Sequence, residues 1–550
     1  MKKFLIIITL LIAGCGLTKA QTYNEILGRP TDTSITVSVL FSQNVDLFIE
    51  YGTVTGLYPN ATTTISSTGG TPDEIDLQNL LPDTKYYYRT RYRASGGGTF
   101  LASAEHTFHT QRAAGSTFTF TVESDVHLYD KKGCENLYKV CLNNQAADHP
   151  DFMVDMGDTY GDDHHPDQVT SGKADSLHRV YRPILGAICH SVPYYFCLGN
   201  HEGEFDYYLA QTPPDNMAVY STLWRKFYFP NPYPNNFYSG NTEVEPYGMG
   251  QPENYYAWTW GDALFVVLDV YRYQCDTSAK PKNWDWTMGD TQYNWFKNTL
   301  EGSTAKFKFV FAHQLRGQGR GGVADAPFFE WGGYEQNGTS YGFTTKRPGW
   351  AEPIHQLMVN NGVNIFFHGH DHLFAHEVLD SVVYQEVPMP SDSTYEIGML
   401  ANADAYVSDT LDGSGHIRVT VSSSCVKVDY VKAWLPIDTV GGLHHNGEVA
   451  FSYIIGNCAS GVETVQKNAA AVKVFPNPAS GELNIIMPDV TGSVQFSLTN
   501  ETGQILLQSD AYMFAGKAET IDVKDIANGI YFLSIKSESS VSYQKVIISR

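Results

Sequence analysis

The feature that most constrains the fold is a series of short apolar runs, each followed at once by residues that can bind a metal or move a proton. The runs are "TFTFTVESD", "DFMVDMGD", "PYYFCLGN", "FKFVFAH" and "NIFFHGH". Short apolar runs that alternate with helical segments are typical of buried strands in an α/β domain. Because such strands present functional residues at their carboxyl ends, we expect the polar ends to meet in one site.

Five strand ends supply the candidate residues of this site. In chain order they are Asp125-Val126-His127, Gly157-Asp158, Gly199-Asn200-His201-Glu202, His313 and Gly369-His370-Asp371-His372. One Asp-x-His pair would be weak evidence. Five strand ends that each present Asp, Asn or His predict a metal centre with nitrogen and oxygen ligands.

The order of these motifs resembles the calcineurin-like metallophosphoesterase superfamily, over residues 115–457. With the β-rich segment that precedes it, the arrangement is similar to purple acid phosphatases and their bacterial relatives. The resemblance implies a multidomain α+β protein whose central domain has four layers, α/β/β/α. It also implies an acid phosphatase-like enzyme with two divalent or transition metal ions, for which zinc, iron and manganese all suit the ligands.

The resemblance also implies a role for each residue. The first metal would be held by Asp125, His127, Asp158 and His372, and the second by Asp158, Asn200, His313 and His370. Asp158 would bridge the two ions. His201 would lie outside the ligand set, contact the substrate and help to protonate the leaving oxygen. Independently of the resemblance, Arg316 and Arg320 follow His313 in the chain and are candidates for binding phosphate, because a guanidinium fits phosphate oxygens.

The chain departs from purple acid phosphatases at one position. Those enzymes resemble each other in a tyrosine three residues after the bridging aspartate, where this chain has Gly161, with Tyr160 one position earlier. They also lack a histidine equivalent to His127. The tyrosinate–iron colour and an Fe(III)-containing pair are therefore not expected to carry over.

Residues 21–112 alternate with a period of two, which is typical of strands. Within them "LLPDTKYYYRTRY" places Leu80, Pro82, Thr84 and Tyr86 at alternate positions. This pattern resembles the tyrosine corner of fibronectin type III sandwiches. We expect a packing or spacing domain here.

The two ends of the chain indicate export. Residues 472–550, with "FPNPASGELNI" and "NGIYFLSI", resemble the C-terminal sorting domain of type IX secretion cargo, and 458–471 has the composition of a linker. Residues 1–20 have the pattern of a signal peptide. We favour ordinary cleavage after Ala20 over lipidation of Cys15, because sorting-domain cargo uses ordinary signal peptides. The expected location is secreted or cell-surface, and the expected partner is the type IX machinery.

Charge and hydropathy exclude other classes. The formal net charge is −22, and a non-specific nucleic-acid binder needs a basic surface, so no specific nucleic-acid partner is expected. No apolar run approaches the roughly 20 residues of a membrane-spanning helix. We expect a small phosphorylated substrate, hydrolysed as a monoester by metal-bound hydroxide. A phosphodiesterase or nucleotidase is the enzymatic alternative, and a catalytically dead surface binding protein is the alternative from another class.

The remaining histidines and cysteines are expected to be structural. His164 and His165 follow the bridging aspartate, in a segment expected to be a solvated loop, and His368 and His376 are expected to pack beside the site. The cysteine spacings form no disulfide framework, so buried free thiols are expected.

Overall fold

The computed structural model describes most of the chain in two compact units, one ending at Ala459 and the other beginning at Ser460. The described residues are 22–129, 133–161, 164–274, 281–315, 319–397, 401–406, 408–458, 472–487, 491–500, 505–537 and 540–550. The expected signal peptide and Cys15 lie outside these residues, as does nearly all of the expected linker. No helix in the described part of the chain is long and apolar enough to cross a membrane.

The N-terminal segment folds as two small antiparallel sheets packed around one core. Its strands are β1 (Tyr23–Gly28), β2 (Ser34–Phe41), β3 (Val45–Gly52), β4 (Asn60–Ala61), β5 (Ile65–Ser67), β6 (Asp73–Gln78), β7 (Lys85–Ala94), β8 (Leu101–Ala102) and β9 (His106–His109). One sheet has the order β1-β2-β6; the other is built on β3 and β7. The hydroxyl of Tyr86 accepts the backbone N–H of Leu81 at 2.8 Å, as expected for a tyrosine corner.

Two larger sheets form the centre of the first unit. Their strands, with the ribbon β16/β17, are β10 (Phe118–Glu123), β11 (Phe152–Asp155), β12 (Tyr194–Phe196), β13 (Ser239–Gly240), β14 (Tyr256–Trp260), β15 (Ala263–Val267), β16 (Tyr273–Gln274), β17 (Trp286–Thr287), β18 (Phe307–Phe311), β19 (Ile365–His368), β20 (Phe374–Leu379), β21 (Val382–Glu386), β22 (Asp409–Leu411), β23 (Gly415–Val421), β24 (Cys425–Lys432) and β25 (Val449–Gly456). The described strands pair in the orders β12-β11-β10-β23-β24-β25 and β13-β14-β15-β18-β19-β21-β20-β22. The first sheet joins the parallel pairs β12-β11 and β11-β10 to three antiparallel strands, β23, β24 and β25. The second has a parallel centre, β15-β18-β19-β21, with antiparallel pairs at both edges.

Helices cover the outer faces of these sheets. The helices are α1 (Glu135–Ala147), α2 (Ser171–Cys189), α3 (Asp206–Leu209), α4 (Met217–Tyr228), α5 (Gly289–Gly302), α6 (Phe329–Gly332), α7 (Phe343–Lys346) and α8 (Ile354–Asn360), with short 3-10 turns at Pro166–Gln168 and Asn283–Asp285. Aromatic side chains from both sheets fill the space between them, including Phe120, Trp258 and Phe309. Helices α1 and α2 pack on the first sheet, and α5 and α8 on the second. The layers are α/β/β/α, as predicted.

The segment from 203 to 260 has little periodicity in sequence but is largely built into the core. Phe205, Tyr207 and Tyr208 are buried against Tyr271 and Trp286. The segment also contains the helix α4, which packs against α2. Most of its described aromatic residues therefore serve packing.

The expectation that the cysteines are free thiols is wrong for one pair. Cys425 and Cys458 form a disulfide with their Cα atoms 4.9 Å apart. Strand β25 pairs with β24 so that Gly456 lies opposite Cys425, which brings Cys458 back to the start of β24. Cys134, Cys141, Cys189 and Cys197 are free, as expected.

The second unit is a small β-sandwich. Its strands are β26 (Lys473–Phe475), β27 (Glu482–Ile486), β28 (Gly492–Thr499), β29 (Ile505–Met513), β30 (Ala518–Asp522), β31 (Gly529–Ser537) and β32 (Ser540–Ile548). They form sheets of order β26-β27-β30 and β29-β28-β31-β32 around an aliphatic core. The sandwich predicted from the sequence is confirmed.

Candidate metal centre

The predicted ligands sit in tight turns directly after the central strands. Five of them have a positive φ: Asp125 (61°), His127 (44°), Asp158 (58°), His370 (79°) and His372 (67°). Residues other than glycine rarely adopt this left-handed conformation, and such strain is concentrated at functional sites. The backbone is therefore held in an unfavourable conformation at the places where these side chains are presented.

The side chains converge around the two aspartates. Asp125 Oδ1 lies 3.5 Å from His127 Nε2, 3.4 Å from His372 Nε2 and 3.7 Å from His313 Nε2. Asp158 Oδ2 lies 3.1 Å from His313 Nε2 and 3.7 Å from His127 Nε2. The strand ends that the sequence predicts to meet do meet in this structure.

Two of the three compact groups of possible ligands, whose ligand atoms lie within 4.8 Å of one another, each contain three residues that the sequence assigns to the same ion. One group is Asp125, His127 and His372, and the other is Asp158, His313 and His370. Asn200 is also buried and directly precedes His201.

His201 lies closer to the ligands than the sequence suggests. Its Nε2 is 3.8 Å from Asp158 Oδ2, and it forms a third compact group with His127 and Asp158. Its ring packs edge-on against the His127 ring, with centroids 4.7 Å apart. Proximity alone does not separate His201 from the ligand histidines, and its exclusion from the ligand set stays a prediction.

Hydrogen bonds outside the site orient the ligand side chains. His313 Nδ1 faces the carbonyl oxygen of Met156 at 2.8 Å, which turns Nε2 toward the aspartates. Asp125 Oδ2 accepts bonds from Ser124 Oγ at 2.5 Å and from the His370 backbone N–H at 2.9 Å. The other oxygen, Oδ1, therefore faces the histidines. Such outer contacts fix the direction of metal ligands.

Glu202 joins two of the ligand turns. Its Oε2 accepts the backbone N–H groups of Asp158 at 2.9 Å and Gly199 at 2.8 Å, and Oε1 accepts those of Thr159 at 2.8 Å and Tyr160 at 3.1 Å. In addition, His201 N–H donates to Asp158 Oδ1 at 2.7 Å. The acidic residue of the Gly-Asn-His-Glu motif thus holds the backbone in place.

The electrostatics of the site favour ionised carboxylates. Burial alone would raise the pKa of Asp125, but His313 and His372 hold it well below its usual range. The pKa of Asp158 is likewise lowered, mainly by His313 and His201, against the effect of burial. Burial would lower the pKa of His313, yet Asp158 and Asp125 raise it to about 9. A metal cation could take the place of that proton between the two carboxylates.

Two buried polar atoms without hydrogen-bond partners bear on whether the residues of the site can bind metal ions. Within the described part of the chain, Asp125 Oδ1 and His370 Nδ1 are buried and have no hydrogen-bond partner. A buried carboxylate oxygen that has no hydrogen-bond partner destabilises the fold. Since Asp125 and His370 each belong to a compact group of oxygen and nitrogen donors, the residues present fit bound divalent or transition metals.

The position that departs from purple acid phosphatases cannot hold a metal-binding tyrosine. A Cβ on Gly161 would lie 1.5 Å from the carbonyl oxygen of His201. Tyr160 points into the core, where its ring stacks on Phe229 and its hydroxyl bonds that of Tyr194. Neither residue presents a phenol oxygen to the site.

The residue between the two histidines of the last motif anchors the next loop. Asp371 is buried and accepts Arg320 Nη1 at 3.1 Å, the Gly321 backbone N–H at 2.8 Å and the Tyr406 hydroxyl at 2.9 Å. The Arg320 side chain remains 46% exposed. The predicted phosphate ligand Arg316 lies outside the described residues.

His368 is a supporting residue, as expected from its position beside the motif. Its Nδ1 lies 2.6 Å from Glu386 Oε2. Burial, followed by the charge of His313, lowers the pKa of His368 to about 3. Glu386 also accepts the Asp371 backbone N–H at 3.0 Å, which links His368 to the ligand turn.

Two residues near the site were not identified from the sequence. His164 is exposed, as expected for a solvated loop, but its ring lies 4.8 Å from the His201 ring, a contact that the sequence does not predict. Tyr181 on α2 accepts the backbone N–H of Leu128 at 2.9 Å, next to His127. Neither contact leaves a sequence signal, because one depends on the path of a loop and the other on helix packing.

The comparisons with known families agree with this geometry. Residues 118–374 match the family model described as calcineurin-like phosphoesterase. Residues 473–549 match the model described as secretion system C-terminal sorting domain. The comparison with curated protein sequences gives no significant match.

Solved structures show the same fold. The chain is similar to the structure of PhoD at 16% identity with a TM-score of 0.53, over 79% of this chain and 90% of that chain. It is also similar to purple acid phosphatase PPD1 from yellow lupin (Lupinus luteus) seeds, at 15% identity with a TM-score of 0.51, over 78% of this chain and 74% of that one. At this identity the likeness concerns the fold.

Proposed function

The central domain of this chain is a calcineurin-like phosphoesterase domain, and from that premise we propose that the protein is an exported, dinuclear metal-dependent phosphatase that hydrolyses small phosphate monoesters. The observation that carries the proposal is the convergence of two compact ligand groups, one around Asp125 and one around Asp158. The similarity of the fold to PhoD and to a purple acid phosphatase supports it.

The first ion would be held by Asp125, His127 and His372, and the second by His313, His370 and Asn200, with Asp158 shared between them. When bound, such a pair activates water as the nucleophile and neutralises phosphate charge. The buried, ionised carboxylates and the orientation of His313 by Met156 support these roles. Zinc, iron and manganese all suit this donor set.

The remaining side chains would act on the substrate. His201 is 5% exposed, lies beside Asp158 and has no predicted duty as a ligand, so we assign it protonation of the leaving oxygen. One guanidinium nitrogen of Arg320 donates a hydrogen bond to Asp371, and about half of the side chain is exposed. The other N–H groups of the guanidinium can therefore contact phosphate. Arg316 precedes Arg320 by four positions and is proposed for the same task.

The test combines metal analysis with two substrates. The purified protein should contain two transition metal ions per chain and hydrolyse p-nitrophenyl phosphate faster than its bis ester. Preference for the bis ester would make the protein a phosphodiesterase on the same site. If the protein contains both metal ions and hydrolyses neither ester, the alternative of a catalytically dead surface binding protein would be favoured.

The sorting domain indicates a secreted or cell-surface protein, and we propose that the type IX machinery exports it and removes this domain. Mass spectrometry of the protein released by its host should then find the chain ending within the region before Val472. A released form that retains Arg550 would contradict removal.

A further inference from the structure

We propose that His164 is a second substrate-binding histidine, which lies beside His201 and donates a hydrogen bond to the phosphoryl group. The inference rests on the proposed phosphatase function. The loop between Asp158 and α2 contains Gly161, where the chain departs from purple acid phosphatases, and two histidines that are not among the predicted ligands.

Gly161 lets the chain pass directly over His201. A Cβ at this position would meet the His201 carbonyl oxygen at 1.5 Å, its carbonyl carbon at 2.0 Å and the Glu202 nitrogen at 2.4 Å. All three are backbone atoms of a turn that Glu202 fixes through its bonds to Asp158 and Gly199. Any side chain here would push the loop away from the metal centre.

Three residues later, the same loop brings an imidazole to the site. The ring of His164 lies against the ring of His201, with centroids 4.8 Å apart and planes inclined by 55°. His164 is exposed, whereas His201 is 5% exposed. The His164 ring is therefore open to solvent where it packs against the buried ring of His201.

This placement is specific to one of two adjacent histidines. His165 is also exposed, and it is the residue that precedes the short turn Pro166–Gln168. Within the described part of the chain, the His201 ring packs against the rings of His164 and His127. His165 therefore offers a control that has the same chemistry and nearly the same place in the sequence.

The electrostatic setting favours an anion at His164. The chain has a net charge of −22, which opposes the approach of a phosphate ester, so its binding needs local donors and positive charge at the metal centre. An imidazole N–H next to that centre can reach phosphoryl oxygens that the ions do not hold. The contact would be made equally in the ground state and the transition state, so it should act on KM rather than kcat.

The experiment compares His164→Ala, His164→Gln and His165→Ala in the full-length, metal-loaded protein. His164→Ala should raise KM for p-nitrophenyl phosphate and weaken binding of inorganic phosphate in parallel, by about 10- to 100-fold, the range for a hydrogen bond to a charged group. The values of kcat and metal content should stay close to wild type. His164→Gln should recover part of the loss, since its amide can donate, and His165→Ala should behave as wild type.

Three results would overturn the inference: equal effects of His164→Ala and His165→Ala, a loss confined to kcat, or unchanged phosphate binding. Because His164 is exposed, its replacement should not disturb folding. The unfolding temperature of each variant checks that a change in KM or phosphate binding is not caused by misfolding. If the wild-type protein hydrolyses no ester, the proposed function fails, while the phosphate-binding comparison still tests His164.

Discussion

The hydroxyl oxygen of Tyr181 accepts the backbone N–H of Leu128, the residue after His127, at 2.9 Å. On the same helix, Arg182 is fully buried and donates from Nε to Asn24 Oδ1 at 2.7 Å and from Nη2 to the Ser38 carbonyl at 2.9 Å. Asn24 and Ser38 belong to the N-terminal sandwich. Helix α2 thus lies between that domain and a ligand turn, so the domain helps to hold the site.

Replacing Tyr181 by Phe should weaken metal binding without unfolding the protein. The change removes the oxygen that holds the turn after His127, and loss of such an outer contact costs about tenfold or more in metal affinity. Titration of the metal-free protein should show the loss at one of two sites. Tyr228→Phe is the control, because that hydroxyl bonds Asp175 on α2 and, among the residues that the structure describes, makes no hydrogen bond to a ligand turn. Equal losses in both variants would assign the effect to α2 as a whole.

Asp158→Ala should remove both ions, whereas Asp125→Ala should leave one. Asp158 is the carboxylate proposed to be shared, and it belongs to two of the three compact groups. Elemental analysis of both purified variants measures the difference. Normal metal content in Asp158→Ala would show that the bridging role is wrong.

Acid should destabilise the fold through His178, which stacks on Tyr160 at 4.8 Å. Burial lowers the pKa of His178 from 6.5 to about 4. The unfolded chain therefore binds a proton at a higher pH than the folded one, and stability is lost as the pH falls from 6.5 to about 4. At ~1.4 kcal/mol per pKa unit the loss is about 3 kcal/mol.

The variant His178→Phe keeps a ring on Tyr160 and removes the titrating group. Its free energy of unfolding should fall less steeply than that of the wild type across this pH range. Denaturant unfolding at pH 7 and pH 5 gives the comparison. Parallel curves for the two proteins would place the acid sensitivity elsewhere.

The iron-loaded enzyme should show no strong visible absorption band. Gly161 has no side chain to offer, and the Tyr160 hydroxyl is bonded to Tyr194 within the core. An absorption spectrum of the protein reconstituted with iron checks this, with Tyr160→Phe as the control. A purple preparation that loses its colour in that variant would mean that Tyr160 reaches the metal.

The ligand turns were predictable because each follows a buried strand and contains residue types that metals select. The sequence could not predict the contacts that depend on how distant segments pack. His164 reaches His201 only because Gly161 allows a close approach, and Tyr181 reaches Leu128 only through the packing of α2. The Cys425–Cys458 disulfide was missed for a similar reason: it follows from the register of β24 and β25, which alternation does not specify.

His201→Ala should keep both ions and lose turnover by about 10²- to 10⁴-fold, the usual range for a positioned acid–base group. The loss should be smaller for p-nitrophenyl phosphate than for an alkyl phosphate, because p-nitrophenol leaves with little protonation. Measuring kcat/KM for both substrates, together with metal content, separates the roles open to this residue. Equal losses for the two substrates would make His201 a phosphate contact like His164. Loss of an ion would make it a ligand, as its 3.8 Å distance from Asp158 Oδ2 allows.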